Sequence, residues 1–498
     1  MILVTGATGY VGGRLITRLL KQGLTVRAAG RSLEKLKSRP WATASQIMLA
    51  EMDVFDETTM VAALKDVEIA YYMIHSMNPE NKGFAAQDKK AAENFISAAK
   101  KTGLKRIIYL GGLGDDNANL SSHLQSRREV ENILRSSSIP VTIFRAAMII
   151  GSGSASFEIL RYLVDRLPVM LTPKWVHTPT QPIAIANVLT YLTECLDKPE
   201  TIDQTFDIGG AERLDYEALM SIYAEEAGLQ KRFIIPVPVF SPNISSYWIH
   251  FITPVHASIA RPLAEGLKNP TVCTETRIRD IIPQELYTPR EAIHRALDRI
   301  KNHQVETHWT DAGYLPPPAY VYPGDPDWSG GTVYKDIRSI ELYCQPDDLW
   351  DPIIKIGGET GWYYGDWLWH LRGILDLFFG GIGLRGGRRD PNVVHSGDAL
   401  DFWRVITAEP GKRLTLLAEM KVPGEAFLTF ALKKRAGDRD GEDVTVLTQK
   451  AVFAPKGLTG ILYWYAVTPL HHFIFNGMLN GIAKASQHKK KCGPYVNA

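Results

Sequence analysis

At 498 residues, with a formal charge of +2, 45% hydrophobic and 22% charged side chains, the chain is too long for one core and too nearly neutral to grip nucleic acid. Two or three soluble domains are expected instead. The four cysteines, Cys195, Cys273, Cys344 and Cys492, lie far apart, which excludes a disulfide framework, offers no metal site and fits a reducing, cytoplasmic setting.

The chain opens on a strand, Ile2–Thr5, with no room before it for a signal segment. Further strand-like runs follow at Thr25–Ala29, Ile47–Glu51, Ile69–Met73, Arg106–Leu110 and Val141–Arg145. Helical patterns at Val11–Lys21, Thr58–Leu64, Gly83–Lys101 and Ser122–Arg135 lie between them. Strict alternation of this kind predicts a doubly wound parallel sheet, an α/β Rossmann domain. From Gly151 to about Asn302 helices alternate with short extended pieces such as Thr205–Ile208, the substrate-side half of the same domain. The expected domain thus spans 1–305, and the Pro/Gly-rich stretch at 306–328 reads as a linker.

Beyond it the pattern changes. One strand (Thr332–Leu342) precedes two apolar helices (Asp347–Ile356, Tyr364–Phe379). Four strands follow in succession, Leu400–Glu409, Arg413–Met420, Ala426–Lys433 and Val444–Ala454, and a long helix, Leu458–Ala485, comes last. That order predicts an α+β domain over 329–490, with 491–498 and the basic run Lys489–Lys491 as a solvated tail. The apolar stretches Trp362–Ile382 and Leu458–Ile482 are interrupted by Asp366, His370, Arg372, Asp376, His471, His472 and Asn476, so neither spans a membrane. Peripheral membrane contact is left open but not expected.

Chemistry concentrates at the first turn, Gly6-Ala7-Thr8-Gly9-Tyr10-Val11-Gly12, which follows a strand at once and opens a helix. Gly6 permits the tight turn, Gly9 lets backbone approach a pyrophosphate, and Gly12 or Gly13 lets helix and strand close up. The phosphates then face the positive helix end. The second strand ends in Arg31-Ser32, with no acid to hold a ribose 2′-hydroxyl, so Arg31 is the expected ligand of a 2′-phosphate; a solvated loop arginine is the plainer alternative. Asp53 is placed either to accept from the adenine amine or to cap the next helix. Cofactor contacts are therefore assigned to Gly6, Thr8, Gly9, Tyr10, Val11, Gly12, Arg31, Ser32, Asp53, Val54 and His75, and NADP(H) is expected ahead of NAD(H).

The run VTGATGYVGG, the Arg-Ser pair, Arg106–Gly112 and Phe144-Arg145-Ala146 through Gly151 resemble the atypical short-chain dehydrogenase/reductase superfamily, in particular NmrA-like proteins, over roughly 1–300. The N-terminal half also resembles the accessory Rossmann subunit of respiratory complex I, and the two-domain order resembles an uncharacterised bacterial family. The resemblance implies a Ser after the fifth strand and Tyr-x-x-x-Lys on the next helix, but this chain has Leu110-Gly111-Gly112-Leu113 and Ser121-Ser122-His123-Leu124-Gln125-Ser126-Arg127. His123 stands in the Tyr position, as a general acid or base near neutral pH, and Arg127 in the Lys position, as a fixed charge; both are equally readable as helix-surface residues. The C-terminal order resembles the START/polyketide-cyclase-like superfamily, a helix-grip fold, which implies an apolar cavity for a small molecule. Asp366, His370, Arg372, Arg404, Glu419 and His471 are its candidate polar anchors.

Together these readings lean to an NADP(H)-dependent oxidoreductase of an apolar carbonyl or alkene. The alternative is an NADP(H)-binding sensor or assembly protein without turnover; an epimerase-like activity ranks last, because Tyr-x-x-x-Lys is missing.

Overall fold

The computed structural model describes residues 1–74, 84–114, 120–237, 265–302, 305–307, 333–378, 381–436, 443–455 and 457–497. They fall into two compact units, Met1–Ala312 and Gly313–Ala498.

The first unit begins β1 (Ile2–Val4), α1 (Tyr10–Lys21), β2 (Val26–Gly30), α2 (Leu33–Lys37), β3 (Ile47–Glu51), α3 (Glu57–Leu64) and β4 (Ile69–Tyr72). It continues through α4 (Phe84–Thr102), β5 (Arg106–Gly112), α5 (Ser122–Arg135) and β6 (Val141–Ala146). Next come β7 (Ile149–Ile150), α6 (Ala155–Arg166), β8 (Val169–Pro173), β9 (Ile183–Ala184), α7 (Ile185–Glu194), β10 (Thr205–Ile208), α8 (Tyr216–Glu226) and β11 (Phe233–Val237). Seven strands pair in the order β10-β6-β5-β4-β1-β2-β3, every neighbour parallel. The strands are apolar almost throughout because both faces are covered. On one face Leu15, Ile16 and Leu19 of α1 pack with Val188 and Leu192 of α7. On the other, Ala92, Phe95 and Ala99 of α4 pack with Val130 and Leu134 of α5. The short extended piece Thr205–Ile208 is the seventh strand, paired with β6.

The second unit is built on one antiparallel sheet. Its strands are β12 (Tyr334–Leu342), β13 (Ala399–Leu400), β14 (Trp403–Glu409), β15 (Arg413–Ala418), β16 (Gly424–Ala436), β17 (Asp443–Pro455) and β18 (Lys490–Asn497), in the order β13-β14-β15-β16-β17-β12-β18. The helices Pro346–Ile354 and Asp366–Phe378 fill the gap between β12 and β13, and a 29-residue helix, Gly457–Ala485, follows β17. Ile474, Phe475, Met478, Leu479 and Ile482 of that helix share one core with Ile340, Leu416, Phe430 and Leu447 of the sheet.

Three expectations need correction. The segment 491–498 is no tail: Lys490–Asn497 pairs antiparallel with β12, and Tyr495 Oη donates to Glu341 at 3.0 Å. Its charge is what an edge strand carries to repel further pairing, and so it mimics a solvated tail in sequence. Residues 306–307 are not linker, because Thr307 is buried against α1; the rest of that stretch, from 308, lies outside the described residues. The strand expected over Leu400–Glu409 is broken, since Asp401 adopts φ 55°, a left-handed conformation that interrupts any ladder.

Candidate functional site

The site is built at the carboxyl ends of β1, β2, β4 and β5, where the strand order reverses between β1 and β4. After β1 the chain turns at Gly6, whose φ is +60°; a Cβ there would lie 2.6 Å from the Met73 carbonyl oxygen. A Cβ on Gly12 would lie 2.4 Å from the Gly6 carbonyl oxygen, so α1 can sit this close to the turn only without a side chain there. Gly9 is the N-cap of α1 and supplies no side-chain cap, and no carboxylate stands in the first turn. The leading N–H groups and the positive end of a 12-residue helix thus meet no side-chain anion of their own. That is the arrangement a pyrophosphate fits.

Thr8 and Val11 are half-buried around the turn. Tyr10 is placed differently from expectation. Its phenol is buried without a hydrogen-bond partner, the Arg14 guanidinium lies 4.8 Å from its ring centroid, and a Cβ on Gly151 would strike Oη at 2.4 Å. Burial pushes that phenol up to about 12. The side chain is therefore packing, and the backbone N–H at the first helical position is what remains for an anion. At the end of β2, Arg31 is exposed, while Ser32 caps α2, Oγ accepting from the Lys35 N–H at 3.3 Å. Asp53 accepts the Phe55 N–H at 3.0 Å, a turn-capping bond, and the Val54 carbonyl accepts from Asn94 Nδ2 at 2.9 Å. His75 lies outside the described residues.

His123 and Arg127 sit one turn apart on α5, whose N-cap Ser121 accepts the Leu124 N–H. A Cβ on Gly112 would lie 3.9 Å from Arg127 Cγ, so Arg127 borders the carboxyl end of β5. His123 is half-buried, and burial, aided by the Arg127 charge, lowers its pKa to about 3. This corrects the expectation of an acid–base group near neutrality: at pH 7 the imidazole is neutral, because an imidazolium would lose hydration and face a guanidinium. Below α5 lies a buried polar cluster. Ser126 Oγ donates to Asp88 at 3.0 Å, and Tyr72 and Tyr109 have ring centroids 6.2 Å apart. Burial raises both phenols above their ordinary range. Tyr109 Oη reaches the Arg127 carbonyl oxygen at 3.4 Å, which ties β5 to the helix.

Arg14 escaped the sequence reading. It is 3% exposed; its Nε donates to Thr307 Oγ1 at 2.9 Å and its Nη2 to the Ser152 carbonyl at 2.8 Å. Thr307 Oγ1 in turn donates to the Tyr10 carbonyl at 2.8 Å. The one available signal was an arginine within the apolar face of α1, beside Leu15. Among the described residues no group of three His, Cys, Asp or Glu can hold a metal ion.

A parallel sheet with this reversal, and a glycine-fitted turn at an uncapped helix end, define a dinucleotide-binding Rossmann unit. The NmrA-like family model matches residues 1–256, just over half of the chain, and the chain belongs to that family. Residues 328–478 match a family described as a protein of unknown function, DUF2867. The 40 kDa subunit of mitochondrial NADH-ubiquinone oxidoreductase of Neurospora crassa is 21% identical over 243 residues, 48% of this chain and 64% of that protein. The chloroplastic divinyl chlorophyllide a 8-vinyl-reductase of Arabidopsis thaliana is 23% identical over 223 residues, 42% of this chain and 53% of that protein. The chain thus spans less than two thirds of the length of either relative. A solved structure of an NADPH-dependent quinone oxidoreductase from Escherichia coli, complexed with NADPH, is 20% identical, covers 59% of this chain and 98% of its own, and has a TM-score of 0.48.

Proposed function

We propose that the first unit is an NADP(H)-dependent reductase acting on an apolar small molecule. The observation that carries this reading is the α1 N-terminus, free of acid and side-chain cap behind Gly6 and Gly12, with Arg31 and Ser32 where an acidic ribose ligand would otherwise stand. Bound NADPH would supply a hydride. Arg31 would hold its 2′-phosphate, and Arg127, at the end of β5, would supply a fixed positive charge beside the reacting centre. Because His123 is neutral at pH 7, it would serve as a hydrogen-bonding group; solvent would deliver the proton. Such a site suits acceptors activated by conjugation, such as quinones and enones, more than isolated ketones that need a strong acid.

The second unit, read as a helix-grip module, would capture an apolar ligand. Three buried free thiols, Cys195, Cys273 and Cys344, support a reducing compartment such as the cytoplasm. Among the described residues no helix is long and apolar enough to cross a membrane.

Fluorescence titration tests the cofactor assignment. NADPH should bind at least about tenfold more tightly than NADH, and Arg31→Ala should narrow that gap by roughly 1–3 kcal/mol, as for a lost charge-assisted pair. Equal affinities in the unmodified protein would reject it. A second reading, an NADP(H)-binding sensor or assembly protein, is favoured by one observation, the neutral His123 in place of a phenol–lysine pair. A panel of quinones, enones and isoprenoid aldehydes decides: NADPH consumption with any of them supports the reductase, and a flat panel supports the sensor.

A further inference from the structure

The ribbon β8–β11 of the first unit is a parallel pair, with Phe233 across from Val169 and Ile234 across from Met170. Parallel pairs are apolar on both faces because both faces are ordinarily covered. One face of this ribbon is covered, since Met170 is 3% exposed and Ile234 packs against the same core. The other is not. Successive side chains point to opposite faces, and on the second face Val169, Phe233 and Ile235 are 48%, 63% and 47% exposed. Single apolar side chains on a surface need no partner, but strand pairing sets these three side by side.

Two observations name what covers them. The first is charge. Lys231, two residues before Phe233, and Arg166, three before Val169, are exposed and put cations at the rim. The carboxylates that close α6 and α8 face partners of their own: Asp165 accepts from Tyr223 Oη at 2.9 Å, and Glu225 and Glu226 pair with Arg290. Glu158, also on α6, is buried and pairs with Arg161 at 2.9 Å. The second observation is the sequence that runs on from the ribbon. The 28 residues from Phe233 to Ala260 include no Asp, Glu, Lys or Arg, in a chain with 22% charged residues, and Lys231-Arg232 and Arg261 bound them. Apolar side chains inside a basic rim complement an anionic bilayer, whose phosphates take the cations and whose acyl boundary takes the apolar groups.

We propose that β8 and β11 dock the protein on an anionic lipid surface, with Val169, Phe233 and Ile235 at the acyl boundary and Lys231 and Arg166 at the phosphates. The proposal goes beyond the reductase reading and stands without it. A reductase held there would meet apolar acceptors in the bilayer, where they concentrate.

Sedimentation of the full chain with vesicles tests it, using phosphatidylcholine alone and phosphatidylcholine with roughly 30% phosphatidylglycerol. At about 0.1 M salt the mixed vesicles should be bound at least about tenfold more tightly, and most of that gain should be lost at about 0.5 M. Phe233→Ser should weaken binding to the mixed vesicles about tenfold, and Lys231→Gln about three- to fivefold there and not on phosphatidylcholine alone. Both side chains are exposed, so an unmoved thermal midpoint of the first unit shows that the variants fold. No pelleting at roughly 1 mM lipid, or pelleting that Phe233→Ser leaves unchanged, overturns the proposal. So does a dimer in sedimentation velocity that Phe233→Ser dissolves in a protein without lipid binding, since a second copy would then cover the ribbon.

Discussion

A guanidinium buried in α1 is tolerable only because its donors find oxygen: Arg14 spends them on Thr307 and Ser152. Arg14→Met keeps the packing stem and removes those donors, leaving the Ser152 carbonyl unpaired. The expected loss is about 2–4 kcal/mol, read as a lower urea midpoint with an unchanged slope. No change in midpoint would show that water replaces the guanidinium. His123 makes the second expectation at this scale. Its pKa falls from an ordinary 6.5 to about 3 in the folded chain, so between those values the unfolded chain binds more protons. Stability therefore rises with pH across that window: the neutral imidazole's contribution is complete above 6.5 and is lost as pH falls toward 3. His123→Gln should flatten the dependence by up to about 1.4 kcal/mol per pH unit, and less where water screens the ring edge. Thermal midpoints from pH 7 to pH 4.5 measure it; parallel curves for the two proteins would mean that His123 is charged without penalty. Turnover should likewise show no inflection near pH 6.5 that disappears in His123→Gln.

Among the elements, α1 and β18 show what packing and pairing demand of single sequences. In Gly12→Ala the new methyl meets backbone rather than a movable side chain, 2.4 Å from the Gly6 carbonyl, so the turn must open. That should cost about 1–3 kcal/mol of stability and weaken NADPH at least about tenfold, because the same turn carries the phosphate-facing N–H groups. Gly23→Ala is the control: it has open space around it and also a positive φ, so it reports backbone strain without loss of the cofactor. Ending the chain after Gln487 removes β18 and bares one side of β12, which should lower the thermal midpoint of the second unit and promote association through the open edge. The same elements show what was legible. Parallel strands such as β1 and β5 announce themselves as apolar runs, and α5 begins and ends at the residues its pattern gave. β18 did not: Lys490, Lys491 and Gly493-Pro494 look like solvent-facing chain, and only the pairing partner makes them a strand. In the site, the tight turn at Gly6 and the close approach at Gly12 were legible because their chemistry is local. The burial of Tyr10 and the Arg14–Thr307 tie were not, since each depends on residues far along the chain, and neither was the depressed pKa of His123, which follows mainly from burial.

At the scale of the whole chain, the decisive feature is that, among the described residues, no apolar cluster draws on both units. The sheet-and-helix clusters of the first unit draw on residues up to Ile300, and the cluster of the second begins at Ile340. Each unit also closes its own sheet hydrogen bonding. Cooperative unfolding follows a shared core, so calorimetry on the full chain should resolve two transitions rather than one. On the proposed function NADPH would bind the native first unit and not its unfolded chain, so at about 100 times its Kd it should stabilise that unit by roughly 2.7 kcal/mol. For a unit spanning Met1–Ala312 that is a shift of about 4 °C in one transition, while the other stays where it was. A fragment beginning at Gly313 should keep the unshifted transition, at the same temperature. The independence of the two units fails if both transitions move together with NADPH, or if the fragment shows no transition of its own. In either case the second unit would take its stability from the first, and its ligand, whatever its chemistry, would be felt at the dinucleotide site.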